Sequence, residues 1–162
     1  MPPTAIEKLL AEIDERVNSG CKVWIFQATP KRYNLLGRLK EIKVGDKDFW
    51  EINQHKEEIL NGHVALIWLC GDEAGIYALA DIISNPEMLV DSEDSTKHWT
   101  HDKDKLQKKL RVKIRFSLIL KGNYITGEEL KRKSLQGTNF AVTESEWLNI
   151  SKMIRQRFMP ER

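Results

Sequence analysis

Two apolar runs, His63 to Leu69 and Gly75 to Ser84, are separated only by Cys70-Gly71-Asp72-Glu73-Ala74. Neither run alternates polar with apolar residues, so together they read as a hairpin whose strands are largely buried on both faces. These are the core strands. A third segment differs in character: Leu110, Val112, Ile114, Phe116 and Leu118 alternate with Arg111, Lys113, Arg115 and Ser117. That period of two predicts a strand with one face inward and a basic face outward.

The remaining signals are mixed. Thr4 and Glu7 have the spacing of a capping box, and Ile6, Leu9, Leu10, Ile13 and Val17 share one helical face before Gly20. The opposite face (Glu7, Lys8, Glu12, Glu15, Arg16) is charged, which suits a surface element added at a domain edge. Lys22 to Ala28 reads as a strand through Val23, Trp24, Ile25 and Phe26. Thr29-Pro30 reads as the start of a short helix with Tyr33, Leu36 and Leu39 inward. Asp48 to Asn53 predicts a short strand carrying Trp50, followed by a polar helical turn to Leu60. Asn85-Pro86 ends the second core strand, and Glu87 to Gln107 has no apolar period, so it reads as a long functional or disordered loop. Thr126 with Glu129, and Thr143 with Glu146, give two more capping boxes for helices. The last of these helices has Trp147, Ile150, Ile154 and Phe158 as its buried stripe. This order predicts an α+β domain around a curved mixed sheet or small barrel, and 162 residues suit one domain.

Composition mainly excludes. No run approaches the roughly 18 apolar residues of a membrane span, and the N-terminus lacks a signal peptide's basic and apolar regions. Cys21 and Cys70 lack metal-ligand spacing and suit a reducing, cytoplasmic setting. Twenty-six basic against 24 acidic side chains give a net charge of +2, too small to announce nucleic-acid binding, so any basic footprint must be local. No phosphate-binding glycine loop, Gly-x-Ser-x-Gly elbow or His-Glu-x-x-His helix is present. His98 and His101, near Asp94, Asp102 and Asp104, read as a solvated loop rather than a metal site. Cys70 lacks a partner base and reads as an inert buried thiol. The expectation is a binding protein without catalytic residues, metal or cofactor.

Aromatic and basic residues carry the positive signal. Of five tryptophans, Trp24, Trp68 and Trp147 lie in apolar runs and are assigned to the core. Trp99 sits in the most polar stretch, beside Lys97, His98, Thr100 and His101, as a loop anchor or as a wall on which a base stacks. Lys103, Lys105, Lys108, Lys109, Arg111, Lys113 and Arg115 follow within 13 positions. Basic charge beside an exposed aromatic is the usual pairing in nucleic-acid grooves, where phosphates supply affinity and stacking holds a base.

Several short motifs follow one another along the chain: Trp24-Ile-Phe-Gln-Ala-Thr-Pro30 with Tyr33, Trp50-Glu-Ile-Asn53, Gly71 with Gly75-Ile-Tyr-Ala78, and Asn85-Pro86. Gly137-Thr-Asn-Phe140 then leads to Val142-Thr-Glu-Ser-Glu-Trp147. In order and spacing they resemble the EVE domain, a PUA-like fold related to YTH reader domains. The resemblance implies a PUA-like curved mixed sheet or small pseudo-barrel flanked by short helices over residues 21–158, with residues 1–20 as an extra N-terminal helix. It further implies a non-catalytic reader of a modified base in DNA (6-methyladenine, or 5-methyl- or hydroxymethylcytosine), flipped into an aromatic cage. Such a module would serve a modification-dependent restriction system with a fused or partner nuclease or NTPase. A reader of modified RNA is the alternative, and a protein-interaction module in which Trp99 merely packs is a third class. The chain ends just past its last helix, as either an excised domain or a complete protein would.

Carried over residue by residue, the YTH pattern implies Trp50 and Trp99 as cage walls and Leu106 as a third, apolar wall. Thr29, Asn53 and Asn139 become polar base contacts. Lys31, Arg32, Lys97, Lys105, Lys108, Lys109, Arg111, Gln136 and Thr138 become contacts to the nucleic-acid backbone. The YTH pattern's Arg-Asp pair has no counterpart around Gln136 to Asn139.

Overall fold

The computed structural model describes residues 2–105 and 107–158. Helices are α1 (Pro3–Asn18), α2 (Leu35–Glu41), α3 (Glu93–Thr96), α4 (Asp102–Lys105) and α5 (Glu144–Phe158). Strands are β1 (Val23–Ala28), β2 (Lys47–Glu51), β3 (Val64–Leu69), β4 (Gly75–Ile82), β5 (Glu87–Leu89), β6 (Lys109–Ile119), β7 (Ile125–Thr126) and β8 (Asn139–Val142). They form one strongly curled half-barrel in the order β2-β6-β4-β3-β1-β8, with β5 added to β6 and β7 to β4. The β1–β3 pair is parallel and the other pairs are antiparallel, so the sheet is mixed and the fold is α+β.

The two uninterrupted apolar runs become β3 and β4, and every residue of β3 is buried. Alternate residues serve two separate cores. Trp24, Phe26, Ala65 and Ile67 join the cluster on one face of the sheet. Val23, Ile25, Leu66 and Trp68 join the other, which α1 and α5 cover with Leu10, Ile13, Trp147 and Ile154. Polar contacts hold the two helices in register: the Trp147 indole donates to Asp14 Oδ1 (2.8 Å), and Arg155 pairs with Glu7 (2.7 Å) and Asp14 (3.0 Å).

Local signals differ from the expected ones where backbone chemistry intervenes. In α1, Pro2 is the extended N-cap and Pro3 opens the helix, so Thr4 lies past the capping position and no side chain caps this end. Proline's preset φ and missing N–H make it suited to that first position. Helix α2 begins at Leu35 rather than Pro30, because the Asn34 side chain accepts from Gly37 N (3.0 Å) while residues 29–33 form a turn onto the Thr29 carbonyl. The Thr126–Glu129 box forms in both directions (2.8 and 3.0 Å) but encloses only a turn. The chain reverses there through Lys131 at φ 53°, with Arg132 N donating to Gly127 O. The Thr143–Glu146 box does open α5 (3.0 and 3.1 Å). The stretch expected as an irregular loop contains β5, α3 and α4.

Leu10 is fully buried between α1 and the sheet. Leu10→Ala should therefore lower unfolding stability by about 2–5 kcal/mol, through lost transfer energy plus the cavity left behind. Lys8→Ala on the exposed face should change it by less than about 0.5 kcal/mol. Urea denaturation midpoints of the two variants check this.

Candidate nucleic-acid interface

Where the end of β1, β2, the start of β6 and the loop before β8 meet, the surface sinks into a pocket of about 480 Å³. That lies within the roughly 300–1,000 Å³ typical of small-ligand sites. Its lining comes from segments far apart in the chain. Trp50 lies on β2, Trp99 in the turn after α3, Thr29 just past β1, and Gln136 and Thr138 in the loop before β8.

Each wall is held by a different device. Trp50 stacks on Phe26 (centroids 6.1 Å apart, 21° between planes) and meets the edge of Tyr33 at 6.5 Å. Trp99 meets the same Tyr33 at 5.0 Å and 67°. Residues 33 and 99 also form an isolated antiparallel bridge, with Asn34 N donating to His98 O (2.8 Å) and Thr100 N to Arg32 O (2.9 Å). The Trp99 indole N–H donates to Asp91 Oδ2 at 2.7 Å. Burial pushes the Asp91 carboxyl up from the usual carboxylate range, opposed first by that indole hydrogen bond. Tyr33 in turn hydrogen-bonds Ser95, and burial raises its phenol as well. The polar stretch thus folds back on the core while one tryptophan remains at the pocket.

The loop wall is built by amides. Gln27, the lone polar side chain in β1, donates from Nε2 to Leu135 O (2.6 Å) and Gly137 O (2.9 Å). Gln54 Oε1 accepts from Thr138 N (2.8 Å) and Asn139 N (2.9 Å). Gly137 sits at φ +134°, a region side-chain-bearing residues rarely adopt. Asn139 is 1% exposed. Its Oδ1 accepts from Asn53 N (2.7 Å) and Gln54 N (3.3 Å), and its Nδ2 donates to Glu51 O (3.0 Å). It is therefore placed behind the wall and ties β2 to β8, whereas Asn53 and Thr29 line the pocket itself.

Charge is distributed unevenly around the opening. Arg32 and Lys109 lie 5.6 and 5.7 Å from the Trp99 ring centroid, within cation–π range. Lys109 Nζ is 2.7 Å from Glu51 Oε1, and Arg32 is 3.4 Å from Asp104. Burial works against the Glu51 carboxylate, but Lys109 and then the Asn53 amide outweigh it and hold the group below its usual range. Lys31 and Lys108 are exposed, Lys105 is half-buried, and Lys97 pairs with Glu41 at 3.3 Å. His98 is half-buried, 3.2 Å from Glu41, and His101 is exposed.

Arg111 lies elsewhere than the alternation of β6 predicts. It is 1% exposed and belongs to the pocket lining, and its Nη1 donates to the carbonyls of Leu89 and Gln107. β6 does alternate, but at residue 111 it is flanked by both β2 and β5, so a face that is open at Arg115 is covered there. Leu106 lies outside the described residues. Sequence reasoning had not singled out Tyr33, Asp91 or Glu51 as pocket residues. Gln27 was findable, because a polar residue in a strand otherwise wholly apolar asks for a partner.

Comparison with known proteins now has a geometry to attach to. No curated protein sequence matches the chain. Among solved structures, a hypothetical protein from Leishmania major aligns with a TM-score of 0.56 at 18% identity, covering 86% of this chain and 98% of that one. A protein from Agrobacterium tumefaciens aligns with a TM-score of 0.53 at 12% identity, covering 86% and 97%. One from Rhodopseudomonas palustris gives 0.52 at 18%, covering 82% and 92%. At such identities the likeness is one of fold. The family model for the EVE domain matches residues 22–153. Domains of this PUA-like kind are generally binding domains. With the curled mixed sheet and the motifs around Trp24, Trp50 and Asn139 all inside the matched span, the chain belongs to the EVE domain family.

Proposed function

We propose that the protein is a non-catalytic reader of a modified base in DNA, flipped out of the helix and held between Trp50 and Trp99. One observation carries this reading: two tryptophans 49 positions apart line the same pocket and share Tyr33 as a common edge-on support. An enclosed base must leave its stack at a cost of a few kcal/mol, which aromatic contact on its faces offsets. A methyl group adds only about 0.8 kcal/mol by burial, so affinity comes from the rings and selectivity from polar groups around them. Thr29, Asn53, Gln136 and Thr138 supply such groups at the pocket. Lys31, Arg32, Lys105, Lys108 and Lys109 provide the cationic surroundings for phosphates, with Lys97 farther out beside Glu41. Leu106 is retained as a third wall in this proposal. Such a module would serve as the sensor of a modification-dependent restriction system, with cleavage or translocation supplied by a nuclease or NTPase.

Fluorescence anisotropy with modified and unmodified duplexes tests the reading. The modified duplex should bind more tightly, and Trp99→Ala should weaken it by roughly 5- to 150-fold, the equivalent of about 1–3 kcal/mol of lost stacking. Equal affinity for both duplexes, or an unaffected Trp99→Ala variant, rules the reader out. Competition between matched DNA and RNA oligonucleotides separates the two nucleic acids, because only RNA offers a 2′-hydroxyl; DNA should win.

A second expectation concerns ionic strength. Because the cations lie around the pocket rather than in one long stripe, log Kd should change with log salt by a slope of only a few phosphate contacts. Lys108→Ala should reduce that slope by about one while leaving the preference for the modified base unchanged.

A further inference from the structure

Most polar atoms around the pocket are already spoken for. Gln27 and Gln54 hold the loop, Asp91 accepts from Trp99 and Ser92, Ser95 bonds Tyr33, and the Asn53 amide nitrogen donates to Glu51 Oε2 and Thr138 Oγ1 (both 2.8 Å). Five buried side-chain atoms among the described residues have no hydrogen-bond partner. Two of them, Glu51 Oε1 and Arg111 Nη2, belong to residues that line this pocket. The two residues face each other directly in the β2–β6 register, at 8% and 1% exposure. Directly opposed residues of an antiparallel pair project from the same face of the sheet.

A buried, unpaired guanidinium nitrogen costs free energy unless something accepts from it. Nη1 of Arg111 is anchored by two carbonyls, which leaves the two hydrogens of Nη2 for a ligand. Oε1 of Glu51 touches the Lys109 ammonium at 2.7 Å without an oriented hydrogen bond, and a carboxylate oxygen has room for a further donor. The open valences therefore number one acceptor atom and one nitrogen with two donor hydrogens.

We infer that Arg111 and Glu51 read the Watson–Crick edge of the bound base, and that this edge is cytosine's. The inference rests on the reader proposal. Cytosine presents an amino donor (N4) beside two adjacent acceptors (N3 and O2), which matches one acceptor atom and two hydrogens. Guanine needs two acceptor atoms for N1–H and N2–H. Thymine sets a carbonyl oxygen on each side of its single N–H, one of them against the carboxylate. Adenine uses one hydrogen of Nη2 and leaves the other unsatisfied, and methylation at N6 removes an amino hydrogen as well. A substituent at C5 of cytosine lies away from this edge. The modification is thus placed on C5, within reach of the aromatic walls and clear of the charged pair.

Anisotropy titrations of the full chain use four otherwise identical duplexes: 5-methylcytosine, 5-hydroxymethylcytosine, N6-methyladenine and unmodified. A C5-modified cytosine duplex should bind on the order of tenfold or more tighter than the N6-methyladenine duplex. Glu51→Gln should narrow that gap to about threefold or less, with its folding checked by thermal melting. Trp99→Ala should weaken binding of the modified duplexes alike. Tightest binding of N6-methyladenine, still abolished by Trp99→Ala, overturns the cytosine assignment and leaves the reader intact. A cytosine preference untouched in folded Glu51→Gln overturns the role of the charged pair. Equal binding of all four duplexes overturns the reader and this inference with it.

Discussion

Everything in this molecule is arranged around a sheet whose central strands β1, β3 and β4 must be covered on both faces. A strand with apolar residues on successive positions cannot leave either side in water without losing about 25 cal/mol for each Å² of apolar surface exposed. α1 and α5 cover one side. On the other, α2 and the segments around Ile52, Ile59 and Trp99 close over Trp24, Phe26 and Ile67. The pocket lies on that second side, where the cover comes from short pieces of chain rather than one long helix. A cover of that kind leaves room for a cavity and supplies side chains from many segments to line it.

That cavity carries considerable buried polarity, and its compensation follows a pattern. Amide side chains satisfy backbone groups of the loop, while Asp91 and Lys109 each engage a wall or a neighbour of a wall. Such contacts fix Trp50, Trp99 and Thr138 before any ligand arrives, so little ordering cost remains for binding. The same low-dielectric setting makes any unmatched donor or acceptor costly, which is how a binding site gains preference for one hydrogen-bonding edge over another.

Legibility differed sharply between elements. The β3–β4 hairpin and α5 could be read directly, because burial on both faces and a capping box each leave a local pattern. The start of α1 could not, since two prolines outcompete the Thr4 cap. Trp99 stood out as an apolar ring in polar surroundings, but its support was invisible, because Asp91 and Tyr33 reach it through contacts that no spacing encodes. Arg111 is the most instructive case. Alternation assigned it to an outward basic face, whereas the crossing of β2 and β5 beside it turned the same position into a buried one.

By itself, then, the sequence determined which segments become strands and helices, which tryptophans belong to the core, and the family pattern that joins Trp50 to the residues after β8. Those properties depend on neighbours a few positions away, through periodicity, capping and turn chemistry. Only the tertiary structure decided that Trp50, Trp99, Glu51 and Arg111 border one cavity and that Asn139 stands behind its wall. It also decided which polar atoms remain open there. The reason is physical: a hydrogen bond between residues 51 and 139, or a ring contact between 33 and 99, is set by the curl of the whole sheet and by the desolvation it imposes, neither of which leaves a local trace.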